Sequence, residues 1–334
     1  MFSKNIIQKL KDIGLTGKGG AGFPVWQKWQ AVKNAKEKNK YIICNASEGE
    51  PMVFKDRYIL ENYPEEVING IKIALETFSD NSDVAAYIYL NPAYYQQFKE
   101  KLTTLIADLP ITLFEKPHSY IAGEETSLLN VIEGKGAEPR LKPPYPTEAG
   151  LWGKPTLIQN VETLYWVNKI AKNEYKGNRF YCIAGEVKSP GVFELPETYT
   201  IEQILRATAN YQPQTTNYFY QVGGGAVGTI MLPNELNQPI KGTASIIIYN
   251  KEKTDPWGLM RTWAEFFVKN NCDKCTPCRE GLYRIFEIIS QGKETLRQAQ
   301  GKLYEIFAAL EKTSFCPLGR MAAVPFKSAL EKLL

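Results

Sequence analysis

Residues 41–51 read YIICNASEGEP, and this stretch decides the fold of the first half of the chain. Its apolar start, Tyr41 to Cys44, has the length of a buried strand, and a polar segment follows at once. A second strand is predicted from Val84 to Leu90 and a third from Ile111 to Phe114. Between the first two, apolar residues from Val67 to Phe78 recur at helical spacing. Helices between short apolar strands indicate an α/β layer on a mostly parallel sheet.

The pattern changes after about Arg179. Strands are predicted at Phe180 to Ala184, Gly191 to Leu195, Tyr218 to Val222 and Ser245 to Tyr249, with a helix from Ile201 to Thr208. This is a small α+β module, compatible with a β-grasp, ubiquitin-like fold. From Pro256 onward, apolar stripes at helical spacing predict a small helical bundle.

Composition excludes several classes of protein. The 40 basic and 36 acidic residues nearly balance, which argues against a nucleic-acid binder with its concentrated basic patch. No run of 18 apolar residues predicts a membrane span, and residues 1–14 lack the features of a secretory signal. We therefore expect a cytoplasmic protein that a membrane complex could still recruit. His118 is the single histidine, so a mechanism that needs two histidines is excluded.

Four of the six cysteines group near the C-terminus as Cys272-x2-Cys275-x2-Cys278, followed by Cys316. In a reducing compartment such clustering favours metal binding over disulfides. Zinc sites commonly use separated CxxC pairs, whereas a compact triplet with a distant fourth cysteine suits a [4Fe–4S] cluster. Structural zinc and buried, unligated thiols stay open as alternatives.

A glycine-rich segment, GKGGAGFP at residues 17–24, precedes a predicted helix that runs from Pro24 to Lys36. Glycine lets a backbone approach a phosphate or a flat ring closely, and a helix N-terminus attracts anions. The segment does not follow a clear strand, so it is not the dinucleotide-binding fingerprint of a Rossmann fold. Taken alone, it could be a plain flexible turn.

Three further polar segments are candidates for the same site. NASEGEP at residues 45–51 follows a strand, at the end where α/β sheets bind ligands. YIAGEET at residues 120–126 opens a short helix, and PRLKPPYP at residues 139–146 carries two cations beside an aromatic ring. The alternatives are a solvated helix start for the second segment and a stiff linker for the third.

Together these segments resemble one family, the NADH-binding flavoprotein subunit of respiratory complex I, whose module also occurs in NAD-linked hydrogenases and formate dehydrogenases. The similarity runs from Gly17 to about Cys316 and makes this chain a short member. The motifs that carry it are GKGGAGFP, NASEGEPMVFKDR, YIAGEET, EGKGAEPRLKPPYP, GLWGKPTLIQNVETL and CDKCTPCREG.

The resemblance implies three domains: a Rossmann-like FMN- and NADH-binding α/β domain over 1–174, a β-grasp domain of the SLBB type over 175–252, and a helical bundle with the [4Fe–4S] cluster over 253–334. It implies that NADH passes a hydride to FMN, from which electrons leave singly to the cluster. The expected partners are NADH, a thioredoxin-like [2Fe–2S] subunit and a larger iron–sulfur subunit.

The resemblance also implies residue roles. Those expected to bind FMN are Gly17, Lys18, Gly19, Gly20, Lys28, Asn45, Glu48, Tyr120, Gly123, Glu124, Gln159 and Asn160. Those expected to form the NADH pocket are Phe23, Glu50, Glu125, Lys142 and Tyr145, with Glu50 and Glu125 as the catalytic carboxylates. The expected cluster ligands are Cys272, Cys275, Cys278 and Cys316.

Three positions depart from the family pattern. Ser47 stands where the family commonly has Asp, Met52 where a small residue is usual, and Ala31 where an aromatic ring is expected. They support an alternative, a relay subunit that keeps the cluster but has lost NADH oxidation. A zinc-stabilised binding module is a third hypothesis. A soluble hydrogenase, a formate dehydrogenase, a bifurcating complex and a quinone reductase all remain open as the enzyme that this subunit serves.

Overall fold

The computed structural model describes residues 5–80, 82–210 and 217–334, without the side chains of residues 293–298. The first four residues of the predicted non-secretory start lie outside it. The strands are β1 (Asn39–Ala46), β2 (Asp83–Leu90), β3 (Ile111–Glu115), β4 (Thr156–Asn160), β5 (Asn178–Gly185), β6 (Gly191–Pro196), β7 (Tyr218–Val222), β8 (Thr229–Met231) and β9 (Ser245–Asn250).

The α-helices are α1 (Ile6–Ile13), α2 (Val25–Asn34), α3 (Lys55–Asn62), α4 (Pro64–Phe78), α5 (Pro92–Ile106), α6 (Ser127–Ile132), α7 (Pro146–Ala149), α8 (Val161–Ala171), α9 (Ile201–Ala207), α10 (Pro256–Asn270), α11 (Thr276–Ser290), α12 (Lys293–Thr313), α13 (Pro317–Met321) and α14 (Ala323–Lys332). Short 3₁₀ turns occur at Ile121–Gly123, Leu151–Gly153 and Pro233–Glu235.

The chain divides into two compact units. The first contains Met1–Gly49 and Phe54–Phe180, and the second contains Glu50–Val53 and Tyr181–Leu334. The finer boundaries expected at 174/175 and 252/253 stay a prediction.

The first unit is built on a four-stranded sheet in the order β3-β2-β1-β4. Every pair in this sheet is parallel, which confirms the predicted parallel α/β layer. Strand β4 is absent from the sequence prediction. It pairs with β1 so that Asn45 lies opposite Asn160, the last residue of β4.

Helix starts in this unit follow the local sequence. Asn91 caps α5 by accepting a hydrogen bond from the Ala93 N–H, and Pro92 takes the first helical position, as predicted. Asn160 caps α8 in the same way through the Glu162 N–H. One core of this unit consists of Ile43, Tyr89, Leu128, Leu129, Ile132, Leu151 and Ile158.

The second unit contains a five-stranded sheet in the order β6-β5-β9-β7-β8. Strands β5 and β9 are parallel, whereas β7 runs antiparallel to both β8 and β9. The four predicted strands are confirmed, and β8 is an addition of three residues. Helix α9 begins with a capping box between Thr200 and Gln203 and buries Ile204 and Leu205 against this sheet.

The helices after Pro256 complete the second unit. Helix α11 packs against both α10 and α12, and α14 packs against β8. The Ser328 hydroxyl accepts a hydrogen bond from the Ile230 N–H at 2.9 Å, and Lys332 pairs with Glu235 at 2.7 Å. Among the described residues, no helix is both long enough and apolar enough to cross a bilayer.

Candidate functional site

The first site lies at the carboxyl ends of β1 and β4. In the order β3-β2-β1-β4 the chain winds one way from β1 and returns on its other side, which opens a crevice beside β1. Asn45 and Asn160 face each other in register at this edge, next to Gln159. The structure therefore brings three predicted cofactor residues to the place where sheets of this kind bind ligands.

The glycine-rich loop reaches the same edge. The Gly17 N–H donates to the Phe23 carbonyl at 2.9 Å, which closes residues 17–23 into a loop. A Cβ at Gly19 would lie 3.3 Å from the Asn160 Cβ. The Lys18 N–H donates to Thr163 Oγ1 at 2.9 Å and ties the loop to α8. Gly20, with φ of 110°, adopts a backbone conformation that a side chain would strain.

The segment after β1 is joined to residues 120–124. Asn45 Nδ2 donates to the Gly123 carbonyl at 3.1 Å, and Ser47 Oγ donates to Asn45 Oδ1 at 2.6 Å. A Cβ at Gly123 would lie 2.5 Å from Ser47 Oγ, and one at Gly49 would lie 3.1 Å from the Tyr120 ring. Glycine at both positions allows the two segments to meet.

A second group of predicted residues surrounds Glu125. Its carboxylate lies 2.8 Å from Lys28 Nζ and 2.7 Å from Lys142 Nζ. Burial alone would raise the pKa of Glu125. The Lys28 charge and the hydrogen bonds from both lysines outweigh it and lower the pKa to about 2. Glu125 is therefore ionised throughout the physiological range.

Exposed aromatic rings accompany this group. Phe23 is 46% exposed and lies 6.0 Å from Lys28 Nζ, and Tyr145 is 53% exposed. Glu124 has a different role from Glu125, since one of its oxygens accepts hydrogen bonds from the N–H groups of Thr126 and Ser127. It holds the start of α6 and also lies 3.5 Å from Lys142 Nζ.

Glu48 holds the start of α3. Its two carboxylate oxygens accept hydrogen bonds from the N–H groups of Asp56 and Arg57 at 2.9 and 3.1 Å. The Tyr94 hydroxyl donates to the same carboxylate at 2.8 Å. Burial and then the Asp56 charge raise the pKa of Glu48 to about 7, although Lys55 and these hydrogen bonds act in the opposite direction.

A buried cluster of charges at this site is missing from the sequence prediction. Lys55 Nζ contacts Asp56 at 2.5 Å, Glu162 at 3.2 Å and Asn160 Oδ1 at 3.2 Å. Asn160 Nδ2 donates to Asp56 Oδ2 at 2.6 Å. The three charged residues are each at most 3% exposed. Burial would lower the pKa of Lys55, but the charges of Asp56, Glu162 and Glu48 raise it, so the ammonium is retained.

The cluster fixes the orientation of Asn160. Both ends of its side-chain amide are occupied, because Oδ1 faces Lys55 and Nδ2 faces Asp56. The only trace of the cluster in the sequence is the pair Lys55-Asp56 within the quoted FKDR segment. A sequence does not show that adjacent charges are buried, so this signal is weak.

Glu50 lies in the second unit. Its carboxylate accepts hydrogen bonds from the N–H groups of Ala226 and Val227, at 2.7 and 3.0 Å, in the turn that follows β7. A Cβ at Gly224 would lie 2.4 Å from the same oxygen. Its expected role toward NADH stays a prediction.

The cysteine group also lies in the second unit. Cys275 is the N-cap of α11, Cys278 lies in the first turn of that helix, and Cys316 is the N-cap of α13. Cys278 and Cys316 are buried, whereas Cys272 and Cys275 are partly exposed. Burial raises the pKa of the Cys278 thiol. The charges of neighbouring thiols raise it further, in the order Cys275, Cys316 and Cys272, so the four side chains lie within electrostatic range of one another.

This donor set fits a cationic metal centre. Four nearby thiolates repel each other, and a bound centre relieves that repulsion. Thiolates suit both zinc and iron–sulfur clusters. Among the described residues, no three His, Cys, Asp or Glu side chains form a site for a single metal ion.

Comparison with known proteins decides the family. Residues 10–169 match the Nuo51 FMN-binding domain, and residues 258–333 match the NADH-ubiquinone oxidoreductase-F iron-sulfur binding region. The NADH-quinone oxidoreductase F subunit 2 of Rhizobium meliloti is 32% identical over 98% of this chain and 86% of the relative. The chain belongs to the family of NADH-quinone oxidoreductase F subunits. The F subunit of the Escherichia coli enzyme is also 32% identical, over 98% of this chain and 82% of its own length.

Solved structures agree with membership of this family. An NAD⁺-reducing [NiFe]-hydrogenase chain in the H₂-reduced state has a TM-score of 0.86 and 29% identity over 98% of this chain. The present chain spans 61% of that hydrogenase chain. This member of the F-subunit family is thus a flavoprotein that oxidises NADH through FMN and transfers electrons to a [4Fe–4S] cluster.

Proposed function

We propose that the crevice between β1 and β4 is the FMN site of this NADH dehydrogenase subunit. The observation that carries the proposal is the meeting of Asn45, Asn160 and the glycine-rich loop at the carboxyl edge of the sheet. The absence of a Cβ at Gly19 leaves a cradle beside Asn160, as a flat ring or a phosphate requires. The buried Gln159 Nε2 has no hydrogen-bond partner among the described residues, so it is a donor that a bound cofactor could satisfy.

The residues that would hold FMN are those of the loop and of the three segments around it. They are Gly17, Lys18, Gly19, Gly20, Lys28, Asn45, Glu48, Tyr120, Gly123, Glu124, Gln159 and Asn160. Bound FMN would supply the exchange between a two-electron hydride donor and a one-electron acceptor. The part of the protein is to orient the ring and to fix polar groups around it before the substrate arrives.

The group around Glu125 would receive the dinucleotide. Lys28 and Lys142 are oriented by one carboxylate, and an ammonium has further N–H bonds to offer an anionic pyrophosphate. The exposed rings of Phe23 and Tyr145 offer faces for stacking. Because the pKa of Glu125 is low, this carboxylate accepts hydrogen bonds and does not exchange a proton near neutral pH. Glu50 is proposed to complete the pocket on the resemblance alone.

The four cysteines would hold the [4Fe–4S] cluster. Cys275 and Cys278 lie at the start of α11, and Cys316 lies at the start of α13. The unpaired N–H groups of a helix start give positive potential, which favours a reduced cluster. Arg279 steadies the ligand loop by donating to the Asp273 carbonyl at 3.2 Å.

Finer features follow the family resemblance and belong to the same proposal. They are the three-domain division, a β-grasp fold for the second sheet, a helical bundle around the cluster and a cytoplasmic location. The subunit would deliver electrons to a thioredoxin-like [2Fe–2S] protein and a larger iron–sulfur subunit. Quinone reductases, hydrogenases, formate dehydrogenases and bifurcating complexes are all compatible with these partners.

The test is anaerobic purification followed by addition of NADH. We expect one FMN per chain, a broad brown absorption from the cluster, bleaching of the flavin by NADH and ferricyanide reduction. A colourless, zinc-loaded protein would contradict the proposal.

One observation favours a second candidate, the relay subunit. Met52 is 50% exposed and has φ of 60°, a conformation that non-glycine residues adopt uncommonly. An exposed, long side chain at this position would narrow the pocket if Glu50 contributes to it. In that case the flavin would bind but would not bleach with NADH, and dithionite would still reduce the cluster.

A further inference from the structure

Ser314 is a buried serine beside the cysteine group. The residue is 2% exposed, and its hydroxyl has no hydrogen-bond partner among the described residues. Nearly all buried polar atoms in proteins are paired, so an unpaired hydroxyl requires an explanation. A bound group that is absent from the polypeptide is one such explanation.

The backbone of Ser314 is fully engaged. Its N–H donates to the Leu310 carbonyl at 3.1 Å, and its own carbonyl accepts from Arg320 Nε at 2.9 Å. Ser314 ends α12 and stands two residues before Cys316. The backbone is thus held on both sides, and the hydroxyl is the polar group that remains.

Gly319 shows where this hydroxyl points. A Cβ at Gly319 would lie 2.4 Å from Ser314 Oγ and 3.4 Å from the Cys278 Cβ. The hydroxyl and the Cys278 Cβ are therefore at most about 6 Å apart. Because position 319 is glycine, no side chain fills the gap between them. Ser314 lies on the side of Cys278 and Cys316, the two buried cysteines.

We propose that Ser314 donates a hydrogen bond to a sulfur of the cluster on its buried side and thereby sets its reduction potential. The inference rests on the proposed function, since it requires the [4Fe–4S] cluster. Reduction adds negative charge to the cluster sulfurs, so a hydroxyl donor binds the reduced form more strongly and raises the potential. Ser314 is a positioning and tuning residue and not a ligand.

The test is an EPR-monitored redox titration of the full chain, purified anaerobically with its cluster. Ser314→Ala should make the reduction equilibrium about tenfold less favourable, which for a one-electron couple is a fall of about 59 mV. Thr313→Ala is the matched control, because the Thr313 hydroxyl already donates to the Ala309 carbonyl at 2.7 Å. Its midpoint potential should equal that of the wild type.

A second pair of variants removes the effect of size. Ser314→Thr and Ser314→Val have the same shape and differ in the hydroxyl, so the threonine variant should titrate about tenfold more favourably than the valine variant. Equal midpoints within this pair, with full iron content, would overturn the inference and leave the proposed function intact. A wild-type protein with no cluster signal would instead overturn the proposed function.

Discussion

The Glu125 carboxylate lies 2.7 Å from Lys142 Nζ and is shared with Lys28 on its other oxygen. Glu125→Gln should raise the KM for NADH roughly tenfold, the effect of losing about 1.4 kcal/mol of binding, because charge-assisted hydrogen bonds then no longer orient the lysines. Steady-state kinetics with ferricyanide measures it. The control is Glu37→Gln, whose carboxylate is 54% exposed in a surface pair with Lys154. Unchanged kinetics in Glu125→Gln would remove this residue from the pocket.

Gly19→Val should reduce the flavin content more than tenfold. A Cβ at this position already lies within 3.3 Å of the Asn160 side chain, and branching fills the remaining space. Gly20→Val should have the same effect, since φ of 110° is strained for a β-branched residue. Flavin absorbance after desalting is the measurement. Gly301→Val, which meets no atom within 4 Å, should retain flavin. Full flavin in the Gly19 and Gly20 variants would move the site elsewhere.

Cys278→Ala should abolish the EPR signal of the reduced cluster and leave flavin bound, since the FMN residues lie in the other compact unit. Iron and sulfide analysis gives the second readout. Cys182→Ala is the matched control, because Cys182 is also buried but its thiol donates to the Met52 carbonyl. A cluster signal that survives Cys278→Ala would exclude Cys278 as a ligand.

Lys55→Met should destabilise the first unit by about 3–5 kcal/mol. Removing one partner of a buried charge network leaves the others uncompensated, here Asp56 and Glu162. Thermal unfolding followed by flavin fluorescence reports the change. Lys154→Met, which removes an exposed pair, should cost less than about 1 kcal/mol. Equal shifts in the two variants would contradict the burial of the network.

Glu48 should make stability depend on pH. The pKa of Glu48 is raised to about 7 in the folded chain, from its usual value near 4.5. The folded state therefore prefers the protonated carboxyl. The stabilisation is fully present below about pH 4.5 and is lost as the pH rises through about 7.

The comparison is with Glu48→Gln at pH 5, 6, 7 and 8. The unfolding midpoint of the wild type should fall relative to that of the variant as the pH rises. Glu37→Gln should run parallel to the wild type. Parallel curves for Glu48→Gln as well would show that Glu48 does not titrate in this range.

The strands with strong apolar runs are predictable from sequence, and so are helices with clear starts. Strand β4 is not, because its five residues, Thr156–Asn160, contain three polar ones and two apolar ones. Its burial follows from pairing with β1, which is a long-range property. The identity of β8 has the same origin, since three residues are too few to show alternation.

The candidate site divides in the same way. Cysteine spacing and glycine density are local features, so the motifs around Cys278 and Gly19 can be read from the chain. The partners of Lys55 and the unpaired hydroxyl of Ser314 depend on which side chains tertiary packing encloses. No local pattern marks an ordinary Lys-Asp pair or a serine as buried.

Asn160 ends β4, caps α8 and borders the glycine cradle. A cofactor that binds there grips a residue on which the closure of the sheet already depends. Binding to the folded form alone stabilises it in proportion to the logarithm of ligand concentration. Riboflavin supply in the cell would then govern how long newly made chains survive proteolysis, and flavin starvation would deplete the protein before it slowed catalysis.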